Sequence, residues 1–178
     1  DIQVYHPDVE IFEVFEADGS HLGIFYSDYY PRDGKSSGAW MDSFRDQSNM
    51  GGNFITPLVI NVGNFAKPTA DKPSLMTLGQ VRTLFHELGH GLNWLFGNTT
   101  YSGSRDVPTD FVELPSQIME YWAVDPAILK TYALHYETGE PIPQELIDKI
   151  ENAEQFNQGF ATVEYLAASF LDMDWHTL

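Results

Sequence analysis

The stretch LFHELGH, Leu84 to His90, carries the side chains best suited to chemistry in this sequence. On a helix, at about 100° per residue, His86 and His90 lie on one face and one turn apart. Two imidazoles so placed can bind one divalent metal ion, and Glu87, offset to the side, suits a general base for a metal-bound water. The pattern therefore predicts a catalytic zinc site. The alternative, two histidines satisfied inside an ordinary core, stays open at this point.

A catalytic zinc ion needs a third protein ligand and leaves its fourth position for water. The sequence has no cysteine, so this ligand is a histidine or a carboxylate. The segment TDFVELPSQIMEYW offers Asp110, Glu113 and Glu120 on one side of a helix, although Pro115 would kink that helix. We choose Glu113, because a carboxylate among apolar neighbours calls for a cationic partner. Asp110, Gln117 and Glu120 are candidates to orient the histidines through their second ring nitrogen.

Composition limits the possible partners. The 178 residues suffice for one domain with a sizeable core, since 43% of them are hydrophobic and 14% aromatic. A net charge of −17 repels phosphate backbones and anionic lipid surfaces, and no apolar run reaches the about 20 residues of a membrane span. We therefore expect neither nucleic acid nor a membrane as a partner. A soluble acidic surface explains the charge, with a site for cationic ligands as the alternative.

The N-terminal part has the pattern of strands. Two β-rich runs flank Asp18-Gly19, a dipeptide typical of a hairpin turn. A further apolar run, FITPLVINVGNF, contains Pro57, which favours a sheet edge. An edge strand can pair with an extended peptide, so Asn61, Gly63 and Asn64 are substrate-binding candidates. The alternative is a strand that a neighbouring segment covers.

From Met76 onward the pattern is helical. Thr77 and Gln80 form a capping box, which predicts a helix that begins at Thr77 and ends near Gly97. Further helices are predicted over residues 110–124, 126–137, 143–153 and from 155 to the end. The expected fold is α+β and mainly helical, with a small antiparallel sheet in the N-terminal third beside the zinc-binding helices. Residues 1–75 form its β-rich part and residues 76–178 its helical part.

Five segments together resemble the thimet oligopeptidase and peptidyl-dipeptidase family of zinc metallopeptidases, and its bacterial peptidyl-dipeptidases most closely. They are LFHELGHGLNWLF, DFVELPSQIMEYWA, HYETGEPIPQEL, FLDMDWH and the opening VYHPDVEIFEVFEADGSHLGIFYSDYYPRDGKSSGAWM. The resemblance implies one Zn²⁺ per chain, bound by His86, His90 and Glu113. It also implies that the YSGS loop, with Tyr101 and Gly103, lies beside the bound peptide.

The resemblance further implies a function and a larger protein. Members of the family are longer, so the chain is expected to be part of a zincin-like catalytic domain in a two-lobed helical metallopeptidase, with the rest of the polypeptide as its partner. A later motif whose tyrosines stabilise the oxyanion is missing here, so we expect little or no activity from this piece alone.

The expected reaction is the release of C-terminal dipeptides from oligopeptides by a zinc-bound water, with Glu87 as the base. The alternatives are an endo-acting oligopeptidase of the same family and a non-catalytic module that binds zinc or peptide. The expected compartment is the cytoplasm, or the periplasm if a preceding segment carries a signal.

Overall fold

The computed structural model describes residue 2 and residues 4–101 and 107–177. Two compact units are present, Asp1–Ile128 and Leu129–Leu178. The strands are β1 (Glu10–Phe15), β2 (His21–Asp28), β3 (Trp40–Arg45) and β4 (Leu58–Val62). The α-helices are α1 (Leu78–Leu95), α2 (Leu114–Val124), α3 (Pro126–Tyr132), α4 (Gln144–Gln155) and α5 (Gln158–His176), and one short 3₁₀ turn covers Met50–Gly52. These elements agree with the predicted α+β class.

The first two strands form the hairpin that the sequence predicts. β1 and β2 pair antiparallel. Gly19 has a φ of 85°, a value that glycine adopts without the steric penalty of a side chain. The Asp18 carboxylate accepts bonds from the backbone N–H and the hydroxyl of Ser20, at 2.9 and 2.6 Å. Local turn chemistry therefore fixes this part of the fold.

The sheet is mixed, so the expectation of an antiparallel sheet is wrong in part. Its strand order is β1-β2-β4-β3, and β2 pairs with β4 in parallel while the two outer pairs are antiparallel. After β2 the chain runs out to the sheet edge as β3, reverses, and returns as β4 between them. Two reversals give β4 the direction of β2.

The predicted edge position of β4 is also wrong. This strand lies inside the sheet, and β3 lies at the edge. Pro57 does not prevent the inner position because it precedes β4, where its carbonyl oxygen accepts a 3.0 Å hydrogen bond from Ile24 N–H. The missing N–H of proline therefore falls outside the strand.

The helix α1 begins as predicted. Thr77 caps it, its side chain accepts from Gln80 N–H, and the Gln80 side chain accepts from Thr77 N–H. The helix lies against one face of the sheet, where a methyl group on Gly91 would stand 3.3 Å from Asn61 Oδ1. The buried core on the sheet comprises Val9, Tyr26, Ile60 and Val62.

Helix α2 begins at Leu114, four residues later than the sequence predicts. Pro115 therefore lies in the first turn, where its missing N–H breaks no helical hydrogen bond and no kink is needed. A methyl group on Gly89 would stand 2.5 Å from Pro115 O and 2.6 Å from Ser116 Cα. Because these are backbone atoms, only glycine permits this approach of α1 to α2.

The second unit contains α4 and α5 and a small turn. Leu134 and Pro141 form an antiparallel bridge, and Leu129 and Ile147 are its most buried hydrophobic side chains, at 1% and 0% exposure. The helix α5 has no buried residue. Within the part of the chain that the structure describes, no helix is both long and apolar enough to cross a membrane.

Candidate metal centre

Three side chains that the sequence singles out meet at one point. Glu113 Oε2 lies 3.2 Å from His86 Nε2 and 3.3 Å from His90 Nε2. Each of the three offers one ligand atom, and these atoms all lie within 4.8 Å of one another. Two come from successive turns of α1 and the third comes from the residue directly before α2. The close crossing at Gly89 brings the two sources together.

The donor set fits a zinc ion. Ligand atoms at about 2.0–2.1 Å from a tetrahedral zinc stand about 3.3 Å from each other, close to the two spacings measured here. Burial lowers the pKa of His90, which favours the neutral imidazole that a metal ion requires as a ligand. Two imidazoles and one carboxylate form a set that binds zinc in catalytic sites.

Ser116 holds the carboxylate ligand, and sequence reasoning did not identify it. Its hydroxyl donates to Glu113 Oε2 at 2.8 Å and to Glu113 O at 2.9 Å, and the residue has 0% exposure. The hydrogen bond from Ser116, and then the nearby imidazoles, lower the pKa of Glu113. A small polar residue one helical turn after the acid was the available signal. The apolar burial that we expected for Glu113 is wrong, because half of its side chain is exposed.

Glu120 contacts one histidine from the far side. Its Oε1 lies 2.7 Å from His86 Nδ1. A proton on Nδ1 then bonds to the carboxylate and leaves the lone pair of Nε2 directed at the shared point. The two other candidates are exposed, and among the described contacts neither Asp110 nor Gln117 bonds to a histidine ring. Of the three residues predicted to orient the histidines, the structure thus brings one, Glu120, to a histidine ring.

Glu87 lies beside the three ligand candidates and is buried, with 9% exposure. Burial, with a contribution from the Glu113 charge, raises the pKa of its carboxyl group. The charge of His86 and a backbone hydrogen bond with Met41 in β3 act in the opposite direction. A carboxylate with a raised pKa binds a proton more strongly. A general base needs this property, because it must accept a proton and later donate it.

An open cleft of about 580 Å³ borders the centre. Residues 39–43, which include the first part of β3, line one side of it. The other lining residues are His86, Glu87, His90 and Trp94 of α1, with Val112 and Glu113 before α2. The strand at the edge of the sheet therefore runs beside the histidines and the buried glutamate.

The predicted substrate-binding residues on and after β4 do not line this cleft. Asn61 has 0% exposure inside the sheet. Gly63 N–H donates to Asp28 O at 2.8 Å, and the Asn64 amide donates to Ser36 O and Gly38 O. Of the YSGS loop, Tyr101 is 78% exposed, while Gly103 falls outside the described residues.

Comparisons with known proteins cover the whole chain. The family model of peptidase family M3 matches residues 1–178. Dipeptidyl carboxypeptidase of Escherichia coli (strain K12) is 47% identical over 180 residues, which are 100% of this chain and 26% of that protein. Oligopeptidase A of the same organism is 40% identical, over 99% of this chain and 26% of that protein. Saccharolysin of Saccharomyces cerevisiae (strain ATCC 204508 / S288c) is 37% identical, over 98% and 26%. The chain thus spans about a quarter of the length of these relatives.

Proposed function

This chain belongs to peptidase family M3, and we propose that it supplies the zinc-binding and general-base part of a metallopeptidase that hydrolyses oligopeptides. Membership in the family confirms the resemblance predicted from the motifs. The observation that carries the proposal is the convergence of His86 Nε2, His90 Nε2 and Glu113 Oε2 beside the buried Glu87 in an open cleft. The identity to dipeptidyl carboxypeptidase favours the release of C-terminal dipeptides as the reaction.

Under this proposal His86, His90 and Glu113 bind one zinc ion. When bound, zinc supplies a Lewis acid that polarises a peptide carbonyl and makes water a stronger nucleophile near neutral pH. Glu87 takes a proton from the attacking water as the new C–O bond forms, and passes it to the amine nitrogen as the C–N bond breaks. Glu120 and Ser116 keep His86 and Glu113 in position.

The edge strand β3 is the proposed binding surface for the peptide backbone. It pairs with β4 on one side, and its residues Trp40–Ser43 line the cleft. An extended peptide can add to such an edge through backbone hydrogen bonds, which requires no particular side chain. The sequence predicted this role for residues on and after β4. We assign it to β3 instead, because the strand order puts β3 at the edge of the sheet.

An endo-acting oligopeptidase is the second candidate. Among the described residues that line the cleft there is no lysine or arginine, so these residues offer no cation for the C-terminal carboxylate of a substrate. The identity to oligopeptidase A also supports it. Mass spectrometry of the products from peptides with free and with amidated C-termini separates the two candidates, since only the dipeptidase form loses its activity when the carboxylate is blocked.

The test of the function uses the full-length protein and two variants. Glu87→Gln should bind zinc as the unchanged protein does and lose nearly all hydrolysis, whereas His86→Ala should lose both. A Glu87→Gln variant that still cleaves peptide at the normal rate would exclude Glu87 as the base. Zinc and peptide binding without hydrolysis by the unchanged full-length protein would favour the non-catalytic module. The chain by itself should retain zinc and turn over slowly, since absence of one oxyanion donor costs about 10²–10³ in rate.

The remaining proposals concern the surroundings of the chain. The relatives are about four times longer, so we assign the rest of the polypeptide as the partner that completes the active site. The cytoplasm is the proposed compartment, with the periplasm as the alternative. Separation of cells into cytoplasmic and periplasmic fractions, followed by detection of the protein with an antibody, distinguishes the two compartments.

A further inference from the structure

The connection between β2 and β3, residues 29–39, is attached to the sheet at two points that do not belong to the metal centre. The first is Asp28, the last residue of β2, which is only 2% exposed. Arg32 donates to its two carboxylate oxygens at 2.6 and 2.7 Å. The Tyr5 hydroxyl donates to Asp28 Oδ2 at 2.6 Å. Burial alone would raise the pKa of Asp28, but these donors hold it well below its usual range.

Lys35, like Arg32, reaches back to Asp28 from within the connection. Its Nζ donates to Asp28 Oδ1 at 2.9 Å and to the carbonyl oxygens of Asp28 and Tyr30, both at 2.8 Å. The three donor hydrogens of the ammonium group thus have three acceptors. The side chain has 4% exposure. A buried ammonium with every hydrogen bonded fixes the conformation of the chain between its acceptors and its own backbone.

Asn64 provides the second attachment. Its amide Nδ2 donates to Ser36 O at 2.9 Å and to Gly38 O at 2.8 Å. Asn64 directly follows the inner strand β4 and the glycine after it, so the connection is tied to the centre of the sheet. Gly34 and Gly38 have φ values of 80° and 96°. Such a glycine-containing segment has many accessible conformations, and the two attachments select one of them.

The attached segment leads directly into the part of the chain that borders the cleft. Ala39 and Trp40 line it one and two residues after Gly38, and Met41 hydrogen-bonds Glu87 through its backbone. We propose that Lys35 and Asn64 are positioning residues, which hold residues 31–39 so that β3 presents its outer edge to a peptide at the metal centre. This inference rests on the function proposed above for β3.

The test compares two variants with two matched controls in the full-length protein. Asn64→Asp keeps the size of the side chain but turns a donor toward two carbonyl oxygens into an acceptor. Its control is Asn152→Asp, where an exposed amide donates to the Asp148 carbonyl in α4. Lys35→Met removes the ammonium group, and its control is Lys149→Met, where an exposed lysine pairs with Glu145. Asn64→Asp leaves the Asp28 cluster intact, so it decides the matter if Lys35→Met does not fold.

Peptide affinity is measured in the Glu87→Gln background, by fluorescence anisotropy with a labelled oligopeptide and zinc present. Loss of either attachment should weaken peptide binding about tenfold, because part of the binding free energy must then order the segment. Zinc affinity, measured against a competing chelator, should stay within about threefold. Backbone amides of residues 36–43 should exchange about tenfold faster, and those of β1 should not change. Neither control should alter any of the three.

Several results would overturn the inference. Unchanged peptide affinity and unchanged exchange in both variants would exclude a positioning role. A parallel loss of zinc and peptide affinity would show that the residues only stabilise the fold. If the background protein binds zinc but no peptide, the function proposed for β3 fails, and the exchange rates of residues 36–43 still decide whether Lys35 and Asn64 hold this segment.

Discussion

Asp28 and Glu113 are two carboxylates in the same unit, and their surroundings are opposite. Asp28 is buried and receives donors from Arg32, Lys35 and Tyr5, so the protein itself neutralises it. Glu113 is half exposed and receives a hydroxyl hydrogen bond from Ser116. Its other close neighbours are two imidazole nitrogens, whose lone pairs can bind a cation.

This difference is the one expected between a structural charge cluster and a metal-binding site. A carboxylate with a complete set of cationic donors has no need of a metal ion, and its removal affects the fold. A carboxylate that faces two imidazole nitrogens can share one divalent cation with them. The two centres should therefore respond differently to substitution, one in the free energy of unfolding and the other in zinc affinity.

Asp28→Asn should have the largest effect, on stability and not on zinc affinity. Removal of this charge leaves Arg32 and Lys35 without their buried partner, which costs about 3–5 kcal/mol of unfolding free energy at pH 7. The pKa of Asp28 is lower in the folded protein than the about 3.9 of an unfolded aspartate. The stabilisation is therefore fully present above about pH 4 and is lost as the pH falls toward the folded value.

Urea unfolding of the variant and the unchanged protein at pH 7 and at pH 3 measures this effect, and the two curves should approach each other in acid. Asp33→Asn, an exposed position in the same connection, is the control and should change little. A tenfold loss of zinc affinity in folded Asp28→Asn protein would contradict the separation of the two centres.

Gly89→Ala should lower both the free energy of unfolding and the zinc affinity, because Gly89 sets the distance between α1 and α2. The added methyl group would meet backbone atoms of Pro115 and Ser116. Overpacking of this kind costs about 1–3 kcal/mol, and the shift of α2 should also weaken zinc binding. Gly79→Ala on the same helix meets nothing within 4 Å and should stabilise the helix by about 0.5–1 kcal/mol. Thermal unfolding and chelator competition on both variants test this contrast.

Glu120→Gln should have the smallest effect, confined to the metal. The neutral amide can still accept from His86 Nδ1, but it lacks the charge that increases the basicity of the ring, and such changes typically cost about 10–100-fold in metal affinity. Asp110→Asn, at an exposed position without a bond to a histidine, is the matched control. Isothermal titration with zinc should show the loss for Glu120→Gln alone; an equal loss in both variants would remove the orienting role.

Sequence patterns were sufficient where the determinants are local. The capping box of Thr77 and Gln80, the turn at Gly19 and the histidine spacing of α1 each depend on residues within a few positions of one another. The helical periodicity also identified Glu120, since one face of α2 is defined by its own sequence. Glu113 was chosen for a wrong reason, its expected burial, and the structure brings it to the histidines while half exposed.

Other features depend on the order of the strands, which no local pattern contains. Pro57 favours an edge position, yet it lies one residue before β4 and its effect does not reach the strand. The contacts of Asp28 with Tyr5 and of Asn64 with Gly38 join residues 23 and 26 positions apart. Ser116 follows Glu113 at the spacing of one helical turn, but its role depends on the Glu113 carboxylate turning back onto the start of α2.

The distribution of the ligands over two helices has a mechanical consequence. Both imidazoles and Glu87 belong to α1, which has 18 residues, whereas Glu113 directly precedes α2, and the backbones of the two helices approach closely at Gly89. A metal ion bound by these three side chains would join α1 to the start of α2. Binding and release of this ion should therefore affect α2 over its whole length, and not only the three atoms that bind the ion.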